Sequence, residues 1–99
     1  MSKPFYSEYI RHCMRFYARN TNLKDFKDET SKQNWSACHS VISAYSSSDT
    51  ELLLSIYSSF DTFADAVYNA TQSFNISQNE VWDLIKFFER KIAKERGLI

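Results

Sequence analysis

The sequence predicts an all-α fold, a small bundle of four or five helices, and three observations support this prediction. Apolar residues recur at steps of three and four along most of the chain, which is the spacing that places them on one face of a helix. Ser-x-x-Glu sequences, which cap helices, precede two of these segments. Gly and Pro occur once each, so few residues are suited to the tight turns of a β-rich fold.

Length and composition set the scale of the molecule. The chain has 99 residues, so we expect residues 1–99 to form a single helical domain. Aromatic residues make up 16% of the chain, and their rings supply much of the buried surface that a short chain needs. Residues 1–46 hold seven Lys or Arg against four Asp or Glu (+3), and residues 47–99 hold five against eight (−3). No strong net field marks the protein for nucleic acid or membrane.

The sequence also predicts where the protein resides. The N-terminal residues lack the apolar run of a signal peptide, and no segment has the roughly 18 consecutive apolar residues of a membrane span. We therefore expect a cytoplasmic protein without membrane contact. Cys13 and Cys38 are the two thiols of a chain without an export signal, which favours reduced, partly buried cysteines over a disulfide.

The first predicted helix begins near Pro4 and runs to about Arg19. Its expected inward positions are Phe5, Tyr9, Cys13, Phe16 and Tyr17, with Ile10 and Met14 adjoining. Three arginines spaced by four predict one exposed stripe on this helix: Arg11, Arg15 and Arg19. This stripe is either a solvated face or a contact for an anion or nucleic acid.

Two further helices follow a connector at residues 20–30. The second is expected from about Ser31 to the three serines that begin at Ser46, with these residues facing inward: Trp35, Cys38, Val41 or Ile42, and Tyr45. Ser48 and Glu51 form a capping box that opens the third, which ends near Ser59. Its inward residues are Leu52, Leu53, Ile56 and Tyr57.

The fourth and fifth helices are predicted to meet at a short turn around Asn75 and Ile76. Asp61 is placed to cap the fourth helix, which runs to about Ser73 with Phe63, Ala64, Val67, Ala70 or Thr71, and Phe74 facing inward. Ser77 and Glu80 form the capping box of the fifth. A connection this short makes the two helices neighbours at a steep angle.

The fifth helix is the most strongly specified segment. Its inward row is Val81, Leu84, Ile85, Phe88 and Ile92, and Trp82 and Phe87 widen that face. Trp82 is expected at the edge of the face, partly exposed, as interface anchors often are. Several cations lie in its last turns, where they interact favourably with the negative end of the helix dipole. Gly97 can adopt the left-handed conformation that ends a helix.

The sequence nominates no catalytic residue, metal ligand or cofactor. His12-Cys13 and Cys38-His39 suggest two halves of a metal site, but adjacent residues on a helix diverge by about 100°, so each pair cannot easily direct both ligands at one ion. Asp61 and Asp65 indicate a solvated acidic face. Phosphate-binding, dinucleotide-binding and hydrolase motifs do not occur. We therefore expect a protein that is not an enzyme.

The apolar pattern around the turn resembles a known family. With Asn75 at the turn, Ala70 and Phe74 precede it and Ile76, Val81 and Leu84 follow it at the apolar positions of a helix-turn-helix. Residues 61–96 resemble region 4 of sigma factors and small phage sigma-like regulators. Asn75 replaces the usual Gly, and Thr71 replaces the usual Ala. The resemblance implies that the fifth helix reads DNA, with these residues on its exposed early face: Gln78, Asn79, Trp82, Asp83 and Lys86. Phosphate contacts are expected from the basic residues of the fifth helix, which are Lys86, Arg90, Lys91, Lys94 and Arg96, or from the arginine stripe of the first helix.

Two functions remain open at this point. One is a small regulator or adaptor that binds DNA through the helix-turn-helix-like corner. The other is a protein-interaction module, such as an inhibitor or accessory subunit, that uses the acidic and aromatic surface of residues 49–83, because residues 61–85 contain four acids and no Lys or Arg. Surplus aromatic residues also predict a homodimer, because some residues of this set should remain at the surface: Phe5, Tyr6, Phe60, Trp82, Phe87, Leu98 and Ile99.

Overall fold

Five α-helices make up the computed structural model, which describes residues 4–99. They are α1 (Ser7–Arg19), α2 (Glu29–Ile42), α3 (Ser47–Ser58), α4 (Phe63–Phe74) and α5 (Gln78–Glu95). The prediction of an all-α bundle is confirmed, and no strand occurs within residues 4–99. None of the helices in this part of the chain is both long and apolar enough to cross a membrane.

Side-chain caps fix where α2 to α5 begin. The Ser77 side chain accepts a hydrogen bond from the backbone N–H of Glu80, so the predicted start of α5 is confirmed. Asp28 caps α2 and starts it two residues earlier than predicted, and α2 ends at Ile42, before the serine run. The sequence did not predict this early end, because no Gly or Pro follows Ile42 to mark the C-terminus of the helix.

Two predicted caps are wrong. Ser46, and not Ser48, caps α3 by accepting from the backbone N–H of Asp49. Thr62, and not Asp61, caps α4 by accepting from the backbone N–H of Asp65. In both cases an aspartate lies three positions after the cap, where its negative charge interacts favourably with the positive end of the helix dipole.

One hydrophobic core is shared by all five helices, and α5 contacts α1, α2 and α4. The predicted inward row of α5 is confirmed, since Val81, Ile85, Phe88 and Ile92 are buried and Leu84 is partly buried. Phe87 does not widen that face, because it is 58% exposed. The largest fully buried side chains are Tyr57, Phe88, Ile10, Met14, Leu53, Ile56, Ile85 and Ile92.

The buried face of α1 is turned by about one residue from the predicted face. Phe5 is 79% exposed, and Tyr9 and Phe16 are each 39% exposed, so these three predicted core positions are wrong. Tyr6, one of the set from which surface residues were expected, is 7% exposed. The buried residues are Tyr6, Ser7, Ile10, Cys13, Met14 and Tyr17. Two adjacent rows of α1 carry large apolar side chains at helical spacing, and packing against α2, α3 and α5 decides between them.

The turn between α4 and α5 has the geometry that its sequence predicts. Asn75 adopts the left-handed conformation, with φ 53° and ψ 53°, and its backbone N–H donates to the carbonyl of Thr71. Ile76 donates to the same carbonyl at 3.2 Å. Asn tolerates this conformation better than other non-glycine residues, which explains its place at the turn. At the other end of α5, Gly97 has φ 74° and ends the helix as predicted.

Candidate functional site

The predicted reading helix exposes the polar and basic residues that were predicted to contact DNA. Gln78, Asn79, Lys86, Arg90 and Lys94 are all exposed. Trp82, Lys86, Arg90 and Lys94 follow one another at steps of four, so each is rotated by about 40° from the one before. The structure therefore places the predicted residues along one solvent-facing side of α5, and the opposite side forms the core.

Three cations on this side of α5 are unpaired. Lys86, Arg90 and Lys94 form no hydrogen bond or ion pair with any residue of the described chain, 4–99. The neighbouring cations differ, because Lys91 lies over the Tyr45 ring at 4.9 Å and Arg96 donates to Asn34 at 2.6 Å. Like charges at steps of four repel each other on a helix. We refer to Lys86, Arg90 and Lys94 as the basic row.

The beginning of the corner carries the opposite charge. Asp61, Asp65, Glu80 and Asp83 are all exposed, and residues 61–85 contain no Lys or Arg. Asp65 and Glu80 each lie in the first turn of a helix, where a negative charge interacts favourably with the positive end of the helix dipole. The acids therefore lie at the start of α4 and in the first half of α5, and the second half of α5 is basic.

Trp82 lies at the boundary between the exposed side of α5 and the core. It is 37% exposed, as predicted, and its ring centroid lies 5.7 Å from that of Phe63. Trp82 also lines a small cavity together with Pro4, Tyr6, Ser7, Arg11, Ile85, Lys86 and Glu89. Its ring is therefore a cover for buried polar groups as well as part of the surface.

The arginine stripe of α1 is exposed only at Arg19, so the prediction of an exposed stripe is wrong for Arg11 and Arg15. The Arg11 side chain is 17% exposed, donates to Glu89 at 2.9 Å, and lies over the Phe63 ring at 4.2 Å. Arg19 donates to the Ser59 carbonyl at 2.9 Å and lies over the Phe60 ring at 4.2 Å. Arg15 is partly buried. Arg11 and Arg19 hold α1 against its neighbours, and the ion pair with Glu89 leaves Arg11 poorly placed to bind another anion.

Sequence reasoning missed a buried charged network. Glu89 is 3% exposed and accepts hydrogen bonds from Arg11 of α1 and from the Tyr57 hydroxyl of α3, the latter at 2.7 Å. Burial, followed by the adjacent Glu89 charge, raises the pKa of Tyr57 well above its usual value. The network links three helices. A signal was present in the sequence, because Glu89 falls on the apolar face of α5 next to Ile85 and Ile92.

The two cysteines and His39 take part in packing. Cys13 and Cys38 are buried free thiols, and burial raises the pKa of each. His39 stacks on Trp35 at 4.8 Å between ring centroids, and its Nδ1 lies 2.9 Å from the Tyr17 hydroxyl oxygen. Among residues 4–99, no group of three or more potential ligand side chains is arranged to hold a metal ion.

Comparison with known proteins identifies no relative, since no family model, curated protein or solved structure matches the chain. The resemblance of residues 61–96 to sigma-factor region 4 therefore stays a prediction.

Proposed function

We propose that the protein is a small, non-enzymatic regulator that binds double-stranded DNA through the corner formed by α4 and α5. The observation that carries this proposal is the basic row, in which Lys86, Arg90 and Lys94 are exposed and unpaired within the described chain. The row belongs to a helix that follows a short left-handed turn, as the reading helix of a helix-turn-helix does.

The basic row fits an extended anion. Its first and last residues are eight positions apart, which corresponds to about 12 Å along a helix. DNA carries about one negative charge per 1.7 Å of its axis, so a row of this length meets several phosphates. An anionic partner would also relieve the repulsion among the three cations in the free protein. The phosphate backbone of DNA therefore suits the row in both charge and length.

The first turn of α5 supplies groups that can contact bases. Gln78 and Asn79 are exposed there, and side-chain amides form paired hydrogen bonds with the edge of adenine. Glu80 and Asp83 lie close by, and both repel phosphates. Because attraction and repulsion act on the same helix, we expect weak binding that requires low salt.

Fluorescence anisotropy with a labelled duplex of about 20 base pairs tests the proposal. Wild-type protein should bind at about 50 mM salt, and a variant with Lys86→Gln, Arg90→Gln and Lys94→Gln should bind at least about tenfold more weakly. The matched control carries Lys24→Gln, Lys27→Gln and Lys32→Gln, which remove three exposed cations elsewhere. Absence of wild-type binding, or equal loss in both variants, would contradict the proposal.

The acidic surface favours a second candidate function, a protein-interaction module that binds a basic partner. The four exposed acids at the corner carry this alternative: Asp61, Asp65, Glu80 and Asp83. A decamer of lysine serves as the probe, titrated into the protein by calorimetry. Binding should weaken several-fold in an Asp61→Asn, Asp65→Asn variant and should be unchanged in a Glu29→Gln control, which removes an exposed acid from α2. No binding, or equal binding by all three proteins, would reject this function.

We also propose that the protein self-associates as a homodimer. Phe5, Phe60 and Phe87 are 79%, 89% and 58% exposed, and apolar rings at the surface commonly mark an interface. Light scattering at high micromolar concentration should give twice the chain mass of 11.6 kDa. A mass of one chain would contradict self-association and would leave the rings for another partner.

A further inference from the structure

The outermost residues of α5 form a row with two halves of opposite charge. Positions 80, 83, 87, 90 and 94 follow at alternating steps of three and four, which keeps them on one side of the helix. Glu80 and Asp83 occupy the first half, and Arg90 and Lys94 occupy the second. Phe87 lies between the halves and is 58% exposed. We refer to these five residues as the outer row.

The outer row is complementary to itself in only one orientation. If two copies of α5 lay parallel, acids would face acids and cations would face cations. In an antiparallel arrangement with its two-fold axis at Phe87, Glu80 of one copy faces Lys94 of the other, because each lies seven residues from Phe87. Asp83 likewise comes within reach of Arg90 of the second copy. Each of these opposite-charge pairs occurs twice, as two-fold symmetry requires.

We infer that two copies of this chain pair through the outer row of α5 in antiparallel orientation, with the two Phe87 rings in contact at the axis. This inference rests on the self-association proposed above and specifies its surface. Among residues 4–99, Phe87 has no aromatic ring partner, so pairing would remove an exposed ring from water. The charged pairs set the register and direction of the contact.

The pairing would also affect the proposed DNA surface. Arg90 and Lys94 belong to both the outer row and the basic row, and only Lys86 of the basic row lies outside the paired surface. A chain engaged in the antiparallel pair therefore offers DNA fewer free cations than a monomer. Pairing and DNA binding compete for the same residues.

Sedimentation velocity without DNA, at protein concentrations from about 1 to 200 µM, tests the pairing. Glu80→Lys converts two attractive pairs into two repulsive pairs and should raise the dimer dissociation constant by about tenfold. Lys94→Glu should do the same. An equimolar mixture of the two variants should recover association to within about threefold of wild type. In a mixed pair, the lysine introduced at position 80 faces the glutamate introduced at position 94, and the unchanged Glu80 and Lys94 still face each other.

The mixture separates association from folding. Both substitutions oppose the dipole of α5, and mixing two folded variants restores neither helix, so recovered association comes from the contact itself. Circular dichroism confirms that each variant is folded. Phe87→Ser should weaken association as well, and Lys24→Glu, on an exposed connector residue, should leave it unchanged.

The outcomes distinguish this inference from self-association in general. A wild-type protein that stays monomeric at 200 µM would overturn both. A dimer that persists equally in all α5 variants would overturn the pairing through α5 and leave a homodimer that uses another surface. Single variants that lose association without recovery in the mixture would overturn the antiparallel register.

Discussion

Removing the Arg11 guanidinium should lower the free energy of unfolding more than any other arginine substitution on α1. Glu89 is 3% exposed, and Arg11 donates to its two carboxylate oxygens at 2.9 Å and 3.5 Å. In Arg11→Met, the carboxylate keeps the hydrogen bond from Tyr57 and loses the charge-assisted hydrogen bonds from Arg11. Breaking a buried ion pair costs about 3–5 kcal/mol, and the retained Tyr57 bond places the expected loss near the lower end, at about 3 kcal/mol.

Urea unfolding followed by circular dichroism measures this loss. A domain of this size has a stability of about 5–15 kcal/mol, so a loss of about 3 kcal/mol is a large fraction of it and lowers the melting temperature by about 15 °C. The matched control is Arg15→Met, which removes a partly buried arginine without an ion pair in residues 4–99 and should cost less than about 1 kcal/mol.

A double variant separates the ion pair from the general effect of altering α1. Arg11→Met with Glu89→Met removes both charges, so it should be more stable than Arg11→Met alone, although the Tyr57 hydroxyl then lacks its acceptor. Equal losses in Arg11→Met and Arg15→Met would refute the reasoning. Additive losses in the double variant would refute it too, because they would mean that the two charges do not interact.

Three further predictions concern caps, the turn and alkaline pH. Ser46→Ala should cost about 1 kcal/mol in urea unfolding and Ser48→Ala close to nothing, and the reverse order would contradict the observed cap. Asn75→Val should cost at least about 1 kcal/mol and Asn75→Gly should not destabilise, because φ is 53°; equal losses would contradict the left-handed turn. Burial raises the pKa of Cys38 in the folded protein, so as pH rises above about 9 this thiol ionises in the unfolded state before it ionises in the folded state. The free energy of unfolding therefore falls by up to about 1.4 kcal/mol per pH unit. Cys38→Ala should flatten that fall, and an unchanged slope would exclude Cys38 as its source.

The fold was predictable because the helices are specified locally. Spacing on α5 identified its buried row, and Ser77 with Glu80 identified its start. The errors arose where the sequence offers two equivalent local solutions. Ser46 and Ser48 both precede an acid by three residues, and two rows of α1 both carry aromatic residues. Tertiary packing decides such cases, and the spacing of residues along a single helix carries no information about how that helix packs against the others.

The candidate site was predictable to a lesser degree. Helix geometry correctly placed the basic row on the exposed side of α5, because the opposite side is apolar. The same argument predicted an exposed Arg11, and this prediction is wrong because the Arg11 guanidinium forms an ion pair with the buried Glu89. A charge on an apolar face signals such a pair, but the identity of its partner depends on how α1 and α5 pack.

The salt dependence of DNA binding tests the proposed function most directly. The logarithm of the observed binding constant should fall linearly with the logarithm of salt concentration, with a slope that grows by about 0.9 for each phosphate contact. Substitution of Lys86, Arg90 and Lys94 by Gln should reduce that slope by nearly three, and the Lys24, Lys27 and Lys32 control should keep the wild-type slope. A slope that is the same for wild type and the α5 variant would contradict DNA binding through the basic row.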